Sequence, residues 1–212
     1  MRYSVKLSKR FCEVARAIAG DGSIDFQCGA CPDQSVGLIG DFNADSDDFP
    51  QRKPVARLDD RRCVVLIMES PHINEFIGEW GPAKGKTGKQ IRKHITKIVT
   101  DPQGCLSELI LINAIQYQCS LGISTDRYRD EIFYSFWQNG GKENFERRLK
   151  CLYRPMDMLF NCCTKGSSRK DLRHLVTAAI RSSLGAVSLH SGPHPCSWFC
   201  KRNRDAVRLD AD

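Results

Sequence analysis

The stretch Arg62-Cys63-Val64-Val65-Leu66-Ile67-Met68-Glu69-Ser70-Pro71-His72 decides how this chain is read. Its apolar run, Cys63–Met68, is unbroken and bounded by charge. A half-buried strand alternates apolar and polar residues. A continuous run of this length marks a strand buried on both faces, as in a parallel sheet covered by helices. Leu109–Ile115 (LILINAI) has the same character, and Met156–Cys162 and Ala186–Leu189 are further candidate strands. Between them lie stretches with helical spacing. Gly88–Val99 places Ile91, Ile95 and Ile98 on one face with bases opposite. Arg127–Trp137 and Glu143–Tyr153 follow, then Ser168–Leu184, with Gly185 as C-cap. The alternation predicts an α/β fold: a small four-stranded parallel sheet flanked by helices on both faces. Ligands of such sheets bind at the carboxyl ends of the strands.

Upstream the pattern fades. Ser8–Ala19 reads as a helix with Phe11, Val14, Ala15 and Ile18 on one face, and Gly20–Pro54 as a loop. Residues 1–60 are therefore expected to form a divergent segment packed on or capping a main domain of residues 61–212. The run Asp41–Asp47 imitates a calcium loop, but Ser46 stands at its sixth position and Arg52 at its twelfth, so that reading fails.

With 212 residues, 41% of them hydrophobic, and a mean hydropathy of −0.39, the chain can bury a core. No apolar run approaches the roughly 18 residues of a membrane helix, and the N-terminus lacks a signal-peptide core. An intracellular, cytoplasmic protein is expected. Its 11 cysteines should then be reduced thiols, because Cys28-x2-Cys31 and Cys196-x3-Cys200 do not complete a paired metal-binding pattern. Thirty-two Lys and Arg against 25 Asp and Glu leave a net charge of +7, which suits an anionic partner. The excess clusters: Lys84–Lys97 holds six bases and no acid, and Lys201, Arg202 and Arg204 form a second group.

Several polar residues follow the strands. Gly85-Lys86-Thr87 imitates a phosphate loop, but Trp80 stands where the motif needs its first Gly, and no nucleoside triphosphate is expected. Glu69 follows the first strand, Asn113 ends the second, and His190 and His194 follow the last. A carboxylate, an amide and an imidazole converging beside a basic helix suit a polyanionic substrate that carries a heteroaromatic base.

From about Cys63 to Arg202 the chain resembles the uracil-DNA glycosylase superfamily. Met68-Glu69-Ser70-Pro71-His72 is similar to the first motif in the G-E-(A/S)-P-G form of the iron–sulfur-type branch. Gly81-Pro82-Ala83-Lys84-Gly85-Lys86-Thr87-Gly88 is similar to the G-x-P-F-x-G-x-x-G loop that follows it. Leu111-Ile112-Asn113-Ala114 matches the strand that ends in the base-reading Asn. Gly192-Pro193-His194-Pro195-Cys196-Ser197 resembles the closing H-P-S motif.

The resemblance implies a monofunctional DNA glycosylase that flips a base from the stack and hydrolyses its glycosidic bond, leaving an abasic site. His194 would donate to the departing base, Asn113 would hold the base edge, and Glu69 would stabilise the sugar cation or position water. Ser70, Pro71, His72, Ala83 and His190 would bind substrate. Lys84, Lys86, Lys89, Lys201 and Arg202 would grip phosphates, and Trp198 or Phe199 would wedge into the vacated stack. No Lys stands at a nucleophile position of the family, so no Schiff-base lyase is expected. Four positions depart from the family: Met68 for Gly, Ser70 for the water-activating Asp of the best-known branch, His72 for Gly or Tyr, and Ala83 for the stacking Phe. Losing a base–aromatic stack costs about 1–3 kcal/mol, so the expected substrate is a bulkier, modified pyrimidine-type base, met in repair or in defence against modified foreign DNA. The alternatives are a catalytically inactive DNA-binding module and a plain uracil-DNA glycosylase. The partner is DNA, with no membrane. Four cysteines hold a cluster in the iron–sulfur branch; here Cys28, Cys31, Cys119 and Cys151 are the candidates for iron–sulfur or zinc, but the second pair is wrongly spaced from Asn113 and no cofactor is expected.

Overall fold

The computed structural model describes residues 2–20, 26–57, 61–99, 107–120, 128–167 and 171–209. Arg127 and residues 168–170, which the sequence assigns to helices, lie outside them. Strand β1 is Gln34–Leu38, β2 Lys53–Pro54, β3 Cys63–Met68, β4 Glu108–Asn113, β5 Met158–Asn161, β6 Leu189–Ser191 and β7 Arg208–Leu209. Helix α1 spans Arg2–Ala19, α2 Lys86–Ile98, α3 Arg129–Phe136, α4 Lys142–Leu152, α5 Leu172–Leu184 and α6 Lys201–Asp205.

The fold is α/β. Successive side chains of a strand point to opposite faces, and both faces of β3 are covered. Cys63, Val65 and Ile67 join an apolar cluster with Phe11 of α1, Phe133 of α3, Phe145 of α4 and Val176 of α5. Val64, Leu66 and Met68 join a second cluster with Ile91 and Ile95 of α2 and with Trp198. An unbroken apolar run is what this double burial requires. Each such side chain contributes about 1.5–3 kcal/mol when withdrawn from water.

The sheet has the order β2-β1-β4-β3-β5-β6-β7. β3 pairs in parallel with β4 and β5, and β5 in parallel with β6. β1 and β7 add antiparallel edges to β4 and β6, and β2 pairs antiparallel with β1. The sheet is therefore mixed and seven-stranded, wider than the four strands expected. Gln34–Leu38 was expected to be loop: with Gln, Ser and Gly in five residues it carries no strand pattern of its own, and its burial comes from its neighbours. β2 and β7, two residues each, leave no periodic trace. The last parallel strand also begins later than Ala186, because His190 and Ser191 pair with Phe160 and Asn161.

Helix α1 packs into the same core, and β1 and β2 belong to the same sheet. Phe11 stacks on Tyr117 at 4.9 Å and meets Phe136 edge-on at 5.2 Å. Cys12 of α1 is disulfide-bonded to Cys28, correcting the expectation that all thiols are free; packing of α1 brings their Cα atoms within 5.9 Å. Arg148 of α4 ties this segment to the sheet. Its Nη1 donates to both Asp33 oxygens at 2.8 and 2.7 Å, its Nη2 to the carbonyls of Asn113 and Ala114 at 2.9 Å each, and its Nε to Asn144. Among the described residues no helix is long and apolar enough to cross a membrane.

Candidate active site

The parallel strands end level with one another: Met68 pairs with Asn113, Ile67 with Asn161, and Asn161 with Ser191. The ladder continues past these ends. Ala114 N–H donates to Met68 O at 2.7 Å, Ile115 N–H to Glu69 O at 2.9 Å, and Gly192 N–H to Asn161 O at 3.1 Å. Glu69 is thus fixed by main chain on the rim of the sheet. Its Oε2 accepts from Thr164 N–H at 2.7 Å, and its Oε1 stands 3.8 Å from Arg129 Nη1. These groups bound a cavity of about 290 Å³ that Ser70, His72, Glu75, Lys84, Lys86, Ser120 and His194 also line.

His194 caps the short 3-10 turn Pro195–Ser197, where its Nδ1 accepts from Cys196 N–H at 3.3 Å. A backbone N–H can only donate, so Nδ1 carries a lone pair and the proton of the neutral ring sits on Nε2. Burial is the main force lowering the His194 pKa; Glu69 pulls it up, Arg129 and Arg173 push it down, and the net shift is downward. The ring is therefore a neutral Nε2–H donor. His72 is set the same way: its Nδ1 accepts from Asn74 N–H at 3.3 Å, and burial lowers its pKa.

Glu75 lies in the 3-10 turn Ile73–Phe76 and is buried. Its Oε1 accepts from Ala83 N–H at 2.9 Å and its Oε2 from Asn113 Nδ2 at 3.3 Å. Those bonds and Arg52 favour the charged form, but desolvation outweighs them and, with Glu69 nearby, pushes the pKa up to about 8. Glu75 is thus mostly a neutral acid at pH 7. The loop that presents Ala83 is held tightly: Ala83 has φ +56°, and a Cβ on Gly88 would stand 2.1 Å from Ala83 O, so only glycine fits there. Gln34 of β1 donates to Trp80 O at 3.0 Å, and Arg52 to Pro82 O at 2.9 Å, so the N-terminal segment buttresses this wall.

No protein-family model, curated protein or solved structure matches this chain.

Of the residues singled out in the sequence, Glu69, Ser70, His72, Lys84, Lys86 and His194 share one cavity. Asn113 stands behind it: the side chain is buried, its amide donates to Glu75, and its Oδ1 has no partner among the described residues. It meets the cavity through Glu75. Pro71 is buried beside Ser70. Ala83 packs in the second apolar cluster, so the ring it lacks does not enlarge the cavity. His190 stacks on Phe160 at 4.6 Å and lines a different cavity, because β6 extends through it. Trp198 is fully buried with Nε1 donating to Pro193 O at 3.0 Å and cannot wedge into DNA; its neighbour Phe199 is 64% exposed beneath Lys86 Nζ. Lys84 Nζ is held by the carbonyls of Ile77 and Glu79, whereas Lys86 and Lys89 are exposed. Lys201 and Arg202 are exposed on α6, away from the cavity.

The cysteine candidates do not converge. Cys28 is in the disulfide, Cys31 and Cys119 are buried, and Cys151 is exposed on α4. Among the described residues no three His, Cys, Asp or Glu are placed to hold a metal. The sequence reading missed Glu75, Ser120, Arg129 and Thr164. A Glu inside Ile73–Ile77 was the one legible signal, since a carboxylate among apolar residues of a short turn has few places to go but inward.

Proposed function

We propose that the protein is a monofunctional DNA glycosylase on a uracil-DNA glycosylase-like arrangement of four parallel strands. It hydrolyses the N-glycosidic bond of a flipped damaged or modified pyrimidine-type base and leaves an abasic site. The observation that carries this reading is the pairing, in one cavity at the strand ends, of Glu69 with a neutral His194 whose proton is held on Nε2.

As the C1′–N bond lengthens, positive charge grows on the sugar and negative charge on the base. Glu69 faces the first and the Nε2–H of His194 the second. Water adds its oxygen to C1′, and its proton balances the departing base. A neutral donor suits this step: it stabilises the developing anion without needing to be protonated first. The protonated Glu75 and the Nε2–H of His72 supply further donors for carbonyl groups of the base. The volume lies near the lower edge of small-ligand sites, about 300–1,000 Å³, in keeping with one nucleobase. Lys86, which lines the cavity, exposed Phe199 beneath its Nζ and exposed Lys89, three residues on along α2, would meet phosphates and the gap in the stack.

The test is abasic-site formation on a panel of DNAs: unmodified, uracil-containing, and modified at cytosine or thymine with hydroxymethyl and sugar adducts. Alkali-labile breaks are expected on a DNA that carries such a base. His194→Ala should slow them about 10²–10³-fold, and Glu69→Gln should abolish them. No breaks on any DNA would overturn the reading, while breaks on uracil DNA alone would keep the reaction and fix the base as uracil.

A further inference from the structure

The basic residues of α2 are not scattered. At 100° per residue, Lys86, Lys89, Lys93 and Lys97 fall within one 80° sector, opposite Ile91 and Ile95, and all four are exposed. Arg92, on another flank, is engaged with Ser46 O and faces Asp47 and Asp48, so the acidic Asp41–Asp48 segment does not mask the stripe. Lys86 lines the candidate active site. Eleven residues on, about 17 Å along the axis, Lys97 lines a second and larger cavity of about 620 Å³ with His190, Lys201, Arg204, Asp205 and Arg208. Four of these six residues are Lys or Arg and one is acidic.

We propose that the α2 stripe and this second cavity form a track for the DNA strand that leaves the active-site pocket, an inference that rests on the DNA reading of that pocket. One strand advances 3.4 Å per phosphate in B-form geometry, so the stripe spans about five nucleotides. Neighbouring lysines stand three or four residues apart, close enough to meet successive phosphates, and the four together reach too far to serve one small anion. Buried His94, on the same helix, senses the surplus: after burial, the charges of Arg204, Lys97 and Lys93 lower its pKa. Uncompensated positive potential of this kind is what a polyanion neutralises. The enzyme would thus read its target in the context of a flanking strand rather than as an isolated nucleotide.

The full chain would be titrated with single-stranded DNA bearing one stable abasic analogue and either two or eight nucleotides on the 5′ or the 3′ side. Lengthening one flank, and not the other, should tighten binding about tenfold at moderate salt and steepen the salt dependence by about 0.7 per added phosphate contact. The double variant Lys93→Glu, Lys97→Glu and the single variant Arg208→Glu should each lose that gain; melting curves check that these exposed substitutions leave the chain folded. No gain from either flank, or an undiminished gain in both variants, overturns the track. Base release with no flank effect removes the track alone. A flank effect lost in the variants, without base release from any DNA, keeps the track and removes the glycosylase.

Discussion

The two walls of the candidate active site are built differently. One rests on strand ends: Glu69, Thr164 and His194 follow β3, β5 and β6, and ladder hydrogen bonds carry the sheet's regularity to within a few residues of each. The other is the loop from His72 to Gly88, which has no ladder and depends on single contacts. There Glu75 receives Ala83 N–H, Gly88 lets Ala83 O approach, and Gln34 and Arg52 hold the carbonyls of Trp80 and Pro82. The two carboxylates differ accordingly. Glu69 faces the guanidinium of Arg129 across 3.8 Å. Glu75 is buried among neutral donors and keeps its proton to about pH 8. The same residue type thus stands as an ion-pair partner on one wall and as a protonated acid on the other, because solvation and neighbours differ.

The largest expected effect lies under the strand-end wall. Arg148→Ala strips the carbonyls of Asn113 and Ala114 of their donor and leaves Asp33, whose pKa burial already raises, without its cation. Urea unfolding should register a loss of about 3–5 kcal/mol. A loss below about 1 kcal/mol would mean that β4 holds its end unaided and that the two walls are less different than described.

The loop wall should respond to pH instead. Folded Glu75 retains a proton that the unfolded chain releases near pH 4.5, so the unfolded state binds fewer protons and stability falls as pH rises from about 4.5 to 8. Glu75→Gln removes this term. The variant should match the wild type near pH 5 and exceed it by about 2–4 kcal/mol at pH 8, with the Asn113 amide turning so that its unpartnered Oδ1 accepts from the new side-chain amide. Parallel melting curves at the two pH values that run at constant separation would refute the neutral acid.

The smallest effect is expected at the mouth. Phe199 is exposed while Trp198 is core, so Phe199→Ala should change stability by less than about 0.5 kcal/mol and weaken DNA binding by one lost stacking contact, about 1–3 kcal/mol. Unchanged affinity in an equilibrium titration would detach Phe199 from the interface.

What the sequence determined is tied to period and to burial. Cys63–Met68 and Leu109–Asn113 had to be strands covered on both faces, since an unbroken apolar run is stable in no other strand environment. The first of these runs located Glu69 at a strand end, the shorter candidate strand Ala186–Leu189 put His194 a few residues past another, and helical spacing placed the basic stripe of α2 on one face. Only the tertiary structure decided the rest. Gln34–Leu38 becomes a strand because β4 offers it an edge, and Trp198 rather than Phe199 turns inward because its indole finds Pro193 O. His190 leaves the site because β6 extends through it, and Glu75 enters the site because its loop folds back over Asn113. Hydrophobic period is a local property that each segment carries alone, whereas an edge, a hydrogen-bond partner or a desolvated carboxyl exists only once distant segments have met.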